Sequence, residues 1–181
     1  AYDAIGTDEL ARIAGISTGL LYHYFQSKRG YYLATIEAAA RDLDAALQLD
    51  PALSPYDALV SSHTAFLDWI EANRALYSAV VRGGIGSDPE CAQIVQAVHR
   101  GILARMLSAL GLGELQPRPR LRSRLIGWIG FSEALSLDWL QHHDLDKAEI
   151  LRLIVDGWRP IVLEEVPDSA LACFLRTGGG S

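Results

Sequence analysis

Apolar residues recur along this chain at the three-to-four spacing of helices, and no segment alternates as a strand bounded by hairpin turns would. Thr7 to Ala14 and Thr18 to Tyr24 read as two short helices separated by Gly15-Ile16-Ser17. A long helix follows from Lys28 to about Gln48, with Tyr32, Ile36, Ala39, Leu43 and Leu47 on one stripe, and Asp50-Pro51 through Ser54-Pro55 break it. Pro55 to about Glu71 carries Tyr56, Leu59, Val60, Phe66, Leu67 and Ile70, and Arg74 to Val81 is a shorter segment ending in Gly83-Gly84-Ile85-Gly86. Ser87, Asp88 and Pro89 open a helix that reaches Leu110 and stops at Gly111 and Gly113. After Pro117 and Pro119 come helices at about Leu121–His142 and Lys147–Glu164, and Pro167 closes the pattern. The expected fold is all-α, with a small helix-turn-helix unit over residues 1–32, a helical bundle over 33–166 and a tail over 167–181 that ends in flexible Gly178-Gly179-Gly180-Ser181.

Composition narrows the functional classes. Half of the 181 residues are apolar (50%) and 21% are charged, which excludes intrinsic disorder and suffices for a core without disulfides or metal. Sixteen Lys and Arg against 22 Asp and Glu leave a net charge of −6, so coating nucleic acid through bulk charge is excluded. The longest uncharged stretch, Ile13 to Ser27, is too short and polar to span a bilayer, and no secretory signal opens the chain. The expectation is a cytoplasmic protein with no membrane partner. Cys91 and Cys173 form neither a metal-ligand spacing nor a disulfide framework, so no metal and no cofactor is expected.

The informative stretch runs from Gly6 to Leu33. Ala11 is small and lies four residues before Gly15, which suits two helices crossing closely around a tight turn. Leu10, Ile13, Ala14, Ile16, Leu21 and Phe25 supply one apolar side for a miniature core, and Thr18, Gly19, Leu20, Tyr22 and His23 project from the other side of the second helix. A helix presenting small, hydroxyl and aromatic groups fits the DNA major groove. Lys28 opens the next helix, where a cation beside backbone N–H groups can grip a phosphate.

The run Leu10-Ala11-Arg12-Ile13-Ala14-Gly15-Ile16-Ser17, followed by Leu21-Tyr22-His23-Tyr24-Phe25-Gln26-Ser27-Lys28, closely resembles the tetracycline-repressor (TetR) family of bacterial transcriptional regulators. The resemblance implies that Thr18, Gly19, Leu20 and His23 face bases, that Tyr22, Tyr24 and Lys28, with Thr7 and Ser17, contact the phosphate backbone, and that Phe25 packs inside. It also implies double-stranded operator DNA, a second copy of the chain and a small-molecule effector as partners. The sequence departs from the family in three places. The family opens with a long first helix, whereas Ala1-Tyr2-Asp3-Ala4 matches the segment just after it, so that helix is absent from this chain. Gly6 and Thr7 make a weaker helix start than the family's usual capping residues. Gly30 stands in the first turn of the long helix, at an expected cost of ~1 kcal/mol relative to Ala. Residues 1–32 also balance Asp3, Asp8 and Glu9 against Arg12, Lys28 and Arg29, so DNA affinity is expected from focused contacts and dimerisation.

In the bundle, His63, His99 and Glu133 each lie within an apolar stripe, and Phe66, Tyr77, Met106 and Trp128 add aromatic and polarisable surface. This mixture suits a largely apolar effector pocket lined by His63, Phe66, Tyr77, His99, Met106, Trp128 and Glu133. The plainer reading of each polar member is a hydrogen-bonded core residue. Arg118, Arg120, Arg122 and Arg124 read as a solvated loop and helix start rather than an anion site. The broad apolar faces Leu125, Ile129, Leu135, Trp139 and Leu151, Ile154, Trp158, Ile161 suit a two-fold four-helix dimer interface.

Three functional classes compete. The leading one is a ligand-responsive repressor that binds a palindromic operator as a homodimer and is released by a small, largely apolar effector. An enzyme would need a convergent catalytic set, and His63, His99 and Glu133 sit on separate helices without a spacing signature, so no catalytic residue is assigned. The remaining alternative is a helical ligand-binding or adaptor dimer that does not bind DNA.

Overall fold

Serine, aspartate and proline set where the helices of this chain begin. The computed structural model describes residues 7–13, 15–50, 52–82, 88–110 and 119–163, without the side chains at 9, 10, 13, 82, 159 and 161–163. Among the described residues there are eight helices and no strand: α1 (Thr7–Ile13), α2 (Thr18–Phe25), α3 (Lys28–Ala46), α4 (Pro55–Ala72), α5 (Arg74–Arg82), α6 (Pro89–Ala109), α7 (Pro119–His142) and α8 (Lys147–Leu163). The all-α expectation is met, with bounds close to those read from periodicity. Helices α4, α6 and α7 start on a proline, whose missing N–H costs nothing in a first turn. Side-chain oxygens supply the other orphan donors with acceptors. Ser17 Oγ accepts from Leu20 N at 3.1 Å, Ser27 Oγ from Gly30 N at 2.9 Å and Ser54 Oγ from Asp57 N at 3.1 Å. Asp146 and Glu149 cap each other reciprocally, at 2.8 and 2.9 Å, ahead of α8.

The helices fall into two compact units, residues 1–43 with 73–97 and residues 44–72 with 98–181. The first unit thus extends past the residue-32 boundary expected from the sequence and takes in α5 and the opening of α6. The expected tail, 167–181, lies outside the described residues.

In the first unit α1 and α2 pack around Ala11 and Leu21, with Ile16, Phe25, Tyr31 and Tyr32 against them. Phe25 is therefore a packing residue, edge-on to Tyr31 at 5.1 Å. The side chains of Leu10 and Ile13, and all of Ala14, lie outside the described residues. A second cluster joins Leu33, Ile36 and Cys91 to Tyr32, Leu76, Val80 and Ile94. Arg29 ties the start of α3 to that of α6, through Asp88 at 2.7 and 2.9 Å and Glu90 at 3.1 Å. That pairing holds the Asp88 carboxyl below its ordinary range.

In the second unit α8 packs against both α4 and α7. Leu67 and Ile70 of α4, Leu125, Trp128 and Leu140 of α7, and Ile150, Ile154 and Trp158 of α8 are buried. Buried Ser132 and Ser136 return their hydroxyls to carbonyls one turn back, Trp128 O at 3.0 Å and Ser132 O at 2.7 Å. Much of the face expected at a dimer interface takes part in this packing. Leu125, Ile129, Trp139, Ile154 and Trp158 are buried within the single chain, Leu135 and Leu151 are half-buried, and the side chain of Ile161 lies outside the described residues. The apolar faces of α7 and α8 are broad because they meet each other and α4. Among the described residues, the large apolar side chains these two helices leave exposed are Ile126, Phe131 and Leu153.

Gly30 also reverses its expected sign. A Cβ there would collide with the carbonyl oxygen of Phe25, so only glycine lets the first turn of α3 pass the end of α2. At Gly101 a Cβ would meet nothing nearer than 3.7 Å. Gly30→Ala is therefore expected to destabilise the chain by about 2 kcal/mol despite Ala's better helix propensity, and Gly101→Ala to stabilise it by up to ~1 kcal/mol. Urea denaturation of the two variants checks the opposed signs.

Candidate functional site

Helix α2 owes its outward face to one buried side chain. Leu21 is fully enclosed, so its neighbours Gly19, Leu20, Tyr22, His23 and Tyr24 stand exposed, with Tyr24 the most open at 68%. Thr18 is half-buried, and its hydroxyl donates to Asp8 of α1 at 3.0 Å. Ser17 caps α2 by accepting from Leu20 N, which leaves its hydroxyl hydrogen to donate outward. Gln26 then adopts a left-handed conformation (φ 61°), the chain turns sharply, and Lys28 opens α3. Thr7 and Lys28 are half-buried. Of the bases in this segment, Arg29 is turned to Asp88 and Glu90. The outward face therefore offers hydroxyl, aromatic and imidazole groups with little net charge, a surface that can read base edges while few groups hold phosphates.

The second unit holds a partly open cavity of about 60 Å3 with a predominantly apolar wall. Leu47 and Leu49 follow α3 into it, Leu59, Ser62 and His63 come from α4, and Ile102, Arg105 and Met106 come from α6. Trp128 and Trp158 close it from α7 and α8, edge-on with ring centroids 4.9 Å apart. Of the seven expected pocket residues, His63, Met106 and Trp128 line this cavity. Phe66 flanks His63 at 6.4 Å behind the wall, and Tyr77 is buried in the other unit. His99 and Glu133 do not line it. They satisfy each other, Nε2 to Oε1 at 2.7 Å, as hydrogen-bonded polar residues on an apolar stripe do.

The sequence reading missed Arg105 and Trp158. Arg105 follows Ile102 by three residues and precedes Met106, so a cation sat inside the apolar stripe of α6 as the available signal. Trp158 lies on an apolar helix face that, in sequence, reads as an interface. Among the described residues no three His, Cys, Asp or Glu side chains gather as a metal site, and no described helix is long and apolar enough to cross a membrane. Arg120 and Arg122 are exposed at the start of α7, and Arg118 lies outside the described residues.

Residues 1–35 match the family described as bacterial regulatory proteins, tetR family, and residues 55–158 match the tetracyclin repressor-like C-terminal domain. The chain is similar to the HTH-type transcriptional activator FasR of Mycolicibacterium smegmatis, 24% identical over 143 residues that cover 78% of this chain and 65% of the relative. It is also similar to the transcriptional regulator AcuR of Cereibacter sphaeroides, 43% identical over 58 residues, 30% of this chain and 26% of that protein. The chain thus spans less than two thirds of the length of each of these relatives. A crystal structure of a tetR-family transcriptional regulator from Streptomyces coelicolor superposes with a TM-score of 0.82 at 25% identity, covering 97% of this chain and 80% of that one.

The two histidines respond to pH with opposite signs. His63 Nδ1 donates to Leu59 O at 2.8 Å, but burial outweighs that bond and pulls the ring from 6.5 down to about 4. The unfolded chain binds more protons in that window, so this contribution is present above pH 6.5 and is lost as pH falls toward about 4. Glu133 raises His99 above 6.5 against the opposing effect of burial, so that contribution is complete below 6.5 and is lost as pH rises through the raised value. Melting temperatures across pH at fixed ionic strength are expected to fall less steeply on the acid side in His63→Phe. In His99→Gln the loss above pH 6.5 is expected to shrink.

Proposed function

The chain belongs to the tetR family of bacterial regulatory proteins, which are transcription regulators rather than enzymes, and we propose that it is a cytoplasmic repressor. In this reading it binds a palindromic operator as a homodimer and is released by a small, largely apolar effector. The observation that carries the DNA-binding part is the outward face of α2, where burial of Leu21 alone leaves Gly19, Leu20, Tyr22, His23 and Tyr24 exposed immediately before Lys28. Thr18, Gly19, Leu20 and His23 read bases, while Thr7, Ser17, Tyr22, Tyr24 and Lys28 hold the backbone.

Effector response follows from the continuity of α3. One helix runs from Lys28 to Ala46, and the residues after it, Leu47 and Leu49, line the cavity. An occupant that binds one tilt of α3 better than another shifts the population of DNA-competent dimers by its differential affinity. The dimer forms through the exposed strip Ile126, Gly127, Gly130 and Phe131 of α7 with Leu153 of α8. Nothing lies within 4 Å of where a Cβ would stand at Gly127 or Gly130, so a partner helix can approach closely there. A two-fold dimer suits a palindromic operator, whose half-sites are themselves related by a two-fold axis.

Two measurements check this. In anisotropy titrations with DNA upstream of the gene and its neighbours, Lys28→Ala is expected to weaken binding to all sequences roughly tenfold and to lower the salt slope by about one. Tyr22→Ala is expected to weaken all sequences alike, whereas His23→Ala changes which are preferred; a full-affinity Lys28→Ala with an unaltered slope speaks against the phosphate assignment. In sedimentation, Phe131→Glu and Ile126→Glu are expected to give helical monomers. Trp158→Glu is expected to unfold the second unit instead, because it buries a charge in the chain's own core.

A further inference from the structure

We infer that the cavity of the second unit takes a compact monocarboxylic acid, its carboxylate on Arg105 and its apolar body against Leu59, Ile102, Met106 and Trp128. The inference rests on the ligand-responsive reading above and adds the chemical class of the effector.

The wall is carbon-rich, yet two buried hydrogen-bond donors in residues that line it have no hydrogen-bond partner among the described residues: Arg105 Nη2 and Trp158 Nε1. Native interiors leave few such atoms unsatisfied, so each marks a place where an acceptor belongs. Both are donors and one carries positive charge, which calls for an acceptor with negative charge. Arg105 is already half engaged, since its Nη1 holds the exposed carboxylate of Asp44 at 2.5 Å. One edge of the guanidinium therefore remains, and a carboxylate suits that edge in geometry and charge.

The other polar groups limit the charge to one. His63 donates Nδ1–H to Leu59 O, so Nε2 is left as a neutral acceptor, and burial keeps the ring from becoming a second cation at neutral pH. Ser62 contributes only a hydroxyl. A dianion such as phosphate would bring a second charge with no second cation in the wall to meet it. Size limits the body: about 60 Å3 holds only a handful of water-sized groups. Trp158 Nε1–H supplies a second, neutral donor for an acceptor on the occupant.

The test titrates the whole chain at constant ionic strength and about pH 8, where inorganic phosphate is mostly the dianion, with sodium butyrate and sodium hexanoate. Butyramide and hexanamide serve as neutral matches, and inorganic phosphate as the dianion. Trp128 and Trp158 fluorescence and the thermal shift report binding. The acids are expected to bind about tenfold more tightly than their amides, and phosphate not at all. Arg105→Gln is expected to abolish that preference and Trp158→Phe to weaken acid binding roughly threefold. Asp44→Asn, which removes the competing negative charge from the guanidinium, is expected to tighten it by about the same factor. Acids that do not bind, that bind no better than amides, or that bind Arg105→Gln undiminished would overturn the assignment. If Arg105→Gln loses its helicity, Asp44→Asn decides, and acid affinity that stays level or falls in that variant overturns it too. None of these readouts contains DNA, so failure to bind any operator defeats the repressor reading while leaving the carboxylate result intact.

Discussion

The second unit depends on burying Trp128. Removing an indole from water is strongly favourable only if its N–H finds an acceptor, and Ile154 O of α8 provides one at 3.1 Å. That bond aligns α7 with α8 and sets Trp158 edge-on at 4.9 Å and His63 at 4.7 Å. The three rings form the corner of the cavity. Burial in that corner favours the neutral form of His63, and the Trp158 N–H has no hydrogen-bond partner among the described residues.

The first unit depends on a smaller device. Helix α2 has eight residues, far too few to hold as an isolated helix, and only Leu21 is fully buried. Its position comes from Leu21 against Ala11, the Ser17 cap, and the close passage that Gly30 permits beside Phe25. Because so little of α2 is needed for packing, most of it is left exposed. Arg29 is directed to Asp88 and Glu90 and so supports the fold, which leaves the outward face of α2 with little positive charge in a chain of net charge −6. Such a surface favours selective over bulk binding to nucleic acid.

Both sites share a design in which a polar or charged group is positioned by apolar burial beside it. On α2 the arrangement points outward, as an exposed polar and aromatic face. In the cavity it points inward, where an unpaired donor is costly until an occupant supplies the acceptor. Binding there releases stored desolvation cost, which is one physical source of differential affinity between two states of a regulator.

By itself, the sequence determined what depends on residues three or four apart. Helix starts at Thr18, Lys28, Pro55 and Pro89, the periodic stripes, the helix-turn-helix and its family resemblance all follow from local spacing, because helical faces and their breaks are short-range geometry. Only the tertiary structure decided which groups meet across distance. His99 found Glu133 over 34 residues and left the cavity, while Arg105 found Asp44 over 61 residues and entered it. The apolar faces of α7 and α8 looked free in sequence but close on each other and α4, and Gly30 changed sign because of one carbonyl on a neighbouring helix. Periodicity says that a face is apolar; which surface covers it, and whether a polar side chain there gains a partner, is decided by packing between helices far apart in the chain.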